Sequence, residues 1–142
     1  MVKLAQALTL LAASLAALNC GRQAEVSPEL APLWQEFGER VAYAGAVQGK
    51  FVDELPEDAV GLCYTRKLAD QTLVAEVSIL RSAWDSYGPG LRKTLVFHEL
   101  GHCVLGLEHD EAVSEAGPES IMFPSVFDMQ ERENELIERL EQ

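Results

Sequence analysis

The sequence predicts an α+β domain with one small sheet, an N-terminal helix, a central helix that carries a histidine motif, and a C-terminal helix. Three observations carry this expectation. Apolar residues recur at helical spacing towards both ends of the chain, and three short runs of high β-propensity lie between them. The string His98-Glu99-Leu100-Gly101-His102 then sits inside a longer helical stretch. A chain of 142 residues suits one domain with a single modest core.

Ser27-Pro28-Glu29 reads as a helix start: a capping hydroxyl, proline at the first helical position and an acid in the first turn. Leu30, Leu33, Trp34, Phe37 and Val41 follow on one buried face, and the helix is expected to fade by Gly45. Val47 to Val52 reads as a first strand, residues 53–58 with Pro56 as a polar connection, and Ala59 to Tyr64 as a second strand. Thr65 to Gln71 reads as a turn and Thr72 to Leu80 as a third strand, pairing with the second as an antiparallel hairpin. Trp84, Tyr87, Gly88, Pro89 and Gly90 mark Ser82 to Gly90 as loop. The motif helix is expected from Leu91 to about Leu105, with Leu95, Val96 and Leu100 making apolar contacts. Residues 110–119, acidic and containing Gly117-Pro118, are expected to be irregular. Ser125 to Glu141 is expected as an amphipathic helix with Val126, Met129, Ile137 and Leu140 inward.

Residues 1–19 stand apart. Lys3 precedes a run from Leu4 to Leu18 that is apolar except at Gln6, Thr9 and Ser14. A charged start and a run of this length read as an export signal and are short for a membrane span. A buried N-terminal helix is the plainer alternative, but no other segment needs it as a partner. Cys20, directly after the run, resembles the lipid-acceptor cysteine of bacterial lipoproteins, although Ala17-Leu18-Asn19 departs from the usual box before it. That resemblance implies an envelope lipoprotein (outer membrane, periplasm or cell surface) with a polar tether over residues 20–26 and a domain over 27–142. Soluble secretion after cleavage near Ala16 or Ala17 is the alternative.

Net charge is −12, and loss of a leader holding Lys3 and no carboxylate makes it −13. So acidic a body repels the phosphates of nucleic acid and does not dock on anionic lipid by charge, leaving acyl chains as the expected membrane attachment. Besides Cys20 only Cys63 and Cys103 remain. In an oxidising compartment such a pair invites a disulfide, which would pin the motif helix to the sheet. Two separate buried thiols are the other reading.

Two histidines four apart on a helix lie about 40° apart around its axis, so His98 and His102 can face one metal ion. Neutral imidazole is a good Zn2+ ligand, and catalytic zinc sites combine three protein ligands with an open position. Glu99 is placed to act as a base towards water activated by the metal. Gly106 turns the chain, and His109 follows three residues later as third ligand. Coincidence on a helix is the bland reading of a single His pair. Against it, every histidine of the chain falls in this one segment.

The stretch Phe97 to Asp110, with Ser120-Ile121-Met122-Phe123-Pro124, resembles the metzincin clan of zinc endopeptidases. His-Glu-Leu-Gly-His followed by Gly-Leu-Glu-His is similar to matrixins, and Asp110 after the third histidine is similar to reprolysins. The resemblance implies a small zincin domain, with a twisted mixed sheet and two helices above a horizontal cleft and irregular chain ending in a helix below. It also implies that Met122 sits in a tight turn beneath the metal; ordinary core is the alternative for that residue. The clan places two residues between the second histidine and the glycine, whereas Cys103, Val104 and Leu105 stand there here. The extra residue turns the helix end by about 100° and lengthens it by about 1.5 Å. Counted from His98, Glu108 then takes the third-ligand position and His109 comes one step late. Because the Gly-x-x-His spacing is intact, His109 is preferred and Glu108 is kept as the alternative ligand.

Together these features imply a zinc-dependent endopeptidase, expected to be a monomer meeting peptide or protein substrates. Substrate would lie extended along an edge strand, for which Thr72 to Leu80 is the candidate. A non-catalytic zinc-binding adhesin or scaffold is one alternative, and a zinc amide hydrolase of cell-wall peptides is another. A scaffold would need the histidines but would have no use for Glu99.

Overall fold

A computed structural model of the chain describes residues 25–41, 46–71, 73–140 and 142; the expected leader, Cys20 and the expected fading of the first helix by Gly45 lie outside them. The class is α+β as expected. The order is α1 (Ala31–Val41), β1 (Val47–Val52), β2 (Gly61–Lys67), β3 (Leu73–Leu80), α2 (Arg81–Ser86), α3 (Pro89–Leu105), β4 (Val113–Ser114), β5 (Gly117–Pro118) and α4 (Glu133–Leu140). Among the described residues no helix is long and apolar enough to cross a membrane.

The sheet is mixed, in the order β1-β3-β2. β1 runs parallel to β3, from Val47↔Ala75 to Val52↔Leu80, and β2 runs antiparallel to it, from Gly61↔Ile79 to Lys67↔Leu73. Two expectations change here. The third strand is central, so the edge above the helices is β2. Residues 25 and 26, assigned to the tether by sequence, belong to the domain: Val26 bridges Gly49 in parallel, with Glu25 and Ser27 hydrogen-bonded to the same residue. The second strand also starts at Gly61, after Glu57 and Asp58 at positive φ, and continues through Thr65–Lys67, which the sequence reads as a turn.

Alternation sorts the strands into two faces. Val47, Val77 and Ile79 point into the core with Cys63, the register partner of Val77. On the opposite face Glu76 is buried, with Lys50 Nζ 2.5 Å from its carboxylate and the Tyr64 hydroxyl donating to it. α1 and α3 cover the inner face, where Phe37 meets Phe97 edge-to-face at 5.2 Å. Trp34 lies flat on β1 because residue 49 is glycine: a Cβ there would come within 2.7 Å of the indole. Lys93 Nζ joins α1, α3 and α4 through Glu36 at 2.6 Å and Glu133 at 2.5 Å.

Three further expectations are corrected. Residues 81–86 form α2 where loop was expected, because Trp84 is buried against Phe51 (5.3 Å) with the Arg92 guanidinium 4.9 Å over its ring. Burial of one large ring outweighs weak local preference, and loop chemistry begins only at Tyr87. The final helix starts at Glu133, after a 3₁₀ turn at Gln130–Arg132, although Met129, Ile137 and Leu140 do point inward as expected. Residues 125–129 are irregular, and Ser125 and Val126 line a cleft. Within 110–119, β4 and β5 form a short hairpin joined by Glu115-Ala116, with Gly117 at φ 104° opening β5.

Candidate metal centre

α3 begins with Pro89 at its first position and ends at a left-handed glycine, Gly106, at φ 64°. The amide of Gly106 donates to His102 O (3.2 Å) as a last helical bond, and that of Leu107 reaches back past the left-handed glycine to Gly101 O (3.2 Å). Cys103, Val104 and Leu105, one residue more than the clan's spacing allows before the glycine, are all helical. The chain reverses after Gly106 and brings His109 back towards the helix.

His98, His102 and His109 come together there, with one ligand nitrogen from each lying within 4.8 Å of the others. Ring centroids stand 4.7, 5.2 and 4.9 Å apart for the pairs 98–102, 98–109 and 102–109. Glu108 is exposed and lies outside this cluster. His98 Nδ1 donates to Ile121 O at 2.8 Å and His102 Nδ1 to Leu107 O at 2.6 Å. A carbonyl can only accept, so each Nδ1 carries the proton and each Nε2 presents a lone pair. Those two Nε2 atoms face each other at 3.1 Å. The three residues are thus close enough to hold a metal ion, and in His98 and His102 the tautomer leaves Nε2 free to ligate it. Burial, with the neighbouring His102 and His109, pushes the His98 imidazole down to about 4 against the opposing pull of its bond to Ile121.

Glu99 lies beside the cluster under the edge strand and is only 6% exposed. Burial pushes its carboxyl up to about 7, opposed by a hydrogen bond from the Cys63 amide. The pairing phase of β2 explains that bond. Leu80 N–H donates to Val60 O at 2.9 Å, which makes Val60 and Leu80 a hydrogen-bonded pair. Such pairs alternate in an antiparallel ladder, so Gly61, Cys63 and Thr65 turn their backbone groups away from β3. Space for Glu99 comes from Gly61, where a Cβ would stand 2.5 Å from Oε1.

Beneath the histidines, residues 120–123 make a tight turn, with Phe123 N–H to Ser120 O at 3.2 Å and Met122 N–H to Ser120 Oγ at 3.1 Å. The turn supplies the Ile121 carbonyl to His98, and Met122 O accepts from the Asp110 amide at 2.9 Å. Met122 is buried with its sulfur against Gly101, where a Cβ would approach to 2.6 Å. Cys63 and Cys103 are disulfide-bonded, with Cα atoms 5.5 Å apart.

A cleft of about 630 Å³ opens over the cluster, walled by residues 58–63 above and by Pro124, Ser125 and Val126 below. Every site residue proposed from sequence within the described chain reaches this region except Glu108; Cys20 lies outside the described residues. Sequence reasoning missed Gly61, the Cys63 amide and Tyr87, which also lines the cleft. A glycine inside a strand pattern signals close approach of another group and marks Gly61 as a position to examine. The other two have no sequence signal. Comparison of the chain with protein-family models, with curated proteins and with solved structures finds no match in any of the three.

Proposed function

We propose that the protein is a zinc-dependent endopeptidase of metzincin type, exported and anchored through a lipid on Cys20. The observation that carries the reading is the pair of Nε2 lone pairs aimed at each other, with the third imidazole alongside and a buried glutamate adjacent. Two lone pairs at this distance repel unless they share an electrophile. Two nitrogens held at about 2.0–2.1 Å by one tetrahedral zinc stand roughly 3.3 Å apart, so the donor set fits that ion. Imidazole donors with no thiolate among them suit a catalytic zinc, because three protein ligands leave one position open.

His98, His102 and His109 would hold the zinc, which when bound would supply Lewis-acid activation of water and of the scissile carbonyl. Glu99 accepts the proton of the attacking water and delivers it to the leaving amine. The outward backbone groups of β2 offer pairing to an extended peptide, while Pro124 to Val126 face one of its side chains from below. Burial of Glu99 favours catalysis over a scaffold, since a carboxylate is costly to bury without a task.

The test is metal analysis followed by digestion of a peptide library, with Glu99→Gln as the control. Wild type is expected to hold one zinc and cleave; the variant keeps zinc and loses about 10²–10⁴-fold in rate. A zinc-loaded wild type that cleaves nothing, or a variant that cleaves as fast, refutes the peptidase reading.

A further inference from the structure

Glu99 and Cys103 are four residues apart on α3 and share one helix face, while Gly61 and Cys63 are two apart on β2 and share one strand face. These four positions meet in a matched grid. Gly61 lies over Glu99, with room for no Cβ, and Cys63 is bonded to Cys103. The spacings agree: four helical residues rise about 6 Å, and two strand residues span roughly 6.6–6.8 Å. The amide of Cys63 also donates to the Glu99 carboxylate, so one residue holds both the covalent corner and the polar contact.

Among the described residues β2 has a ladder partner on one side only, where it bonds β3. Its exposed side faces the cleft, and the non-covalent contacts of a glycine cannot fix where it sits on the helix. We infer that the Cys63–Cys103 disulfide is a positioning element for Glu99: it locks β2 onto α3 so that the Cys63 amide and the Gly61 gap hold the carboxylate in place beside the three histidines. The side chains of Cys63 and Cys103, joined to each other, do not touch substrate in this scheme. The histidines keep their own supports, the carbonyls of Ile121 and Leu107, and do not depend on the bridge. The inference builds on the role proposed for Glu99, but the contact itself can be measured without any substrate.

The experiment is amide hydrogen exchange by NMR on the metal-free protein, comparing wild type with Glu99→Ala and with Cys63→Ala/Cys103→Ala. Cys63→Val/Cys103→Ala serves as a second bridge-free variant that refills the lost volume. In wild type the Cys63 amide is expected to be protected although it points off an open edge. Both Glu99→Ala and bridge removal should speed its exchange on the order of tenfold, while Leu62 and Tyr64, bonded to β3, stay protected. Zinc added back should bind the bridge-free variants with unchanged stoichiometry, and kcat should fall while KM holds. In a Glu99→Gln background, removing the bridge should cost no further activity.

Cys63 protection that survives bridge removal overturns the inference. So does simultaneous loss of protection across the whole sheet in both bridge-free variants, because the bridge would then hold the fold and not the base. If no peptide is cleaved by any form, the peptidase reading fails alone, and the exchange result still decides whether the disulfide positions Glu99.

Discussion

Replacing Gly61 with alanine tests the base without touching a metal ligand. A Cβ at this position would stand 2.5 Å from Glu99 Oε1, 2.7 Å from Cγ and 2.8 Å from Cδ. Ordinary contact begins near 3.4 Å, so the carboxylate or the strand must yield by about 0.9 Å. The strand is tied to α3 by the Cys63–Cys103 bridge two residues away, so the glutamate is the part that moves. A misplacement of about 1 Å can cost on the order of 10²-fold in rate, or about 2.7 kcal/mol of transition-state stabilisation. Gly61→Ala is therefore expected to lose roughly 100-fold in kcat/KM on a cleaved peptide, retain zinc, and lose about 1–3 kcal/mol of stability to overpacking. Gly88→Ala is the control, since a Cβ there meets nothing within 4 Å; its kcat/KM should match wild type. A folded, zinc-loaded Gly61→Ala protein with kcat/KM within about threefold of wild type would refute the argument that Glu99 must sit under β2.

Other outcomes follow from the same geometry. His109→Ala should lose stoichiometric zinc on dialysis while Glu108→Ala keeps it, as read by metal analysis; the reverse pattern would make Glu108 the ligand. Gly101→Ala drives a Cβ into the sulfur of Met122 and should cost about 1–2 kcal/mol in urea denaturation. Adding Met122→Ala should then cost less than the sum of the two single changes, because the pair is in contact. Burial alone would raise the Glu76 carboxyl, but hydrogen bonds from Lys50 and Tyr64 outweigh it and hold the group below its ordinary value of 4.5. The unfolded chain therefore takes up this proton first as pH falls, so the stabilisation is complete above about pH 4.5 and is lost below it. Measured on metal-free protein, Glu76→Gln should be less stable than wild type by about 1–2 kcal/mol at pH 7, with the gap closing in acid. A gap that persists at pH 3 contradicts that account.

Local chemistry carried much of the fold. The spacing of Leu30, Leu33, Trp34, Phe37 and Val41 marks one helical face, and α1 buries Phe37 on it. The β-branched run that ends at Leu80 is a strand, and the antiparallel partner is the one expected. What misled was punctuation read without partners. Glycine and proline at 88–90 extended a loop backwards over Trp84, whose burial against Phe51 makes α2. The amphipathic pattern after Ser125 extended a helix forwards over residues that instead line the cleft.

For the site, the sequence by itself determined the chemistry on offer: two histidines a helical turn apart, a carboxylate beside the first, and a glycine from which the chain could return a third. Those are relations between near neighbours, and helical geometry alone converts them into a shared face. Tertiary structure decided the rest. Which of Glu108 and His109 reaches the other two depends on how the chain turns at Gly106, after a helix that holds all of Cys103, Val104 and Leu105. Which strand roofs the cleft depends on β1 taking the far side of β3, a pairing over long sequence distance with no local signal. The fit of Glu99 beneath Gly61 and the bond joining Cys63 to Cys103 likewise arise from packing two elements 40 residues apart. Contacts of that kind are set by the whole core at once, and no window of sequence contains both halves of them.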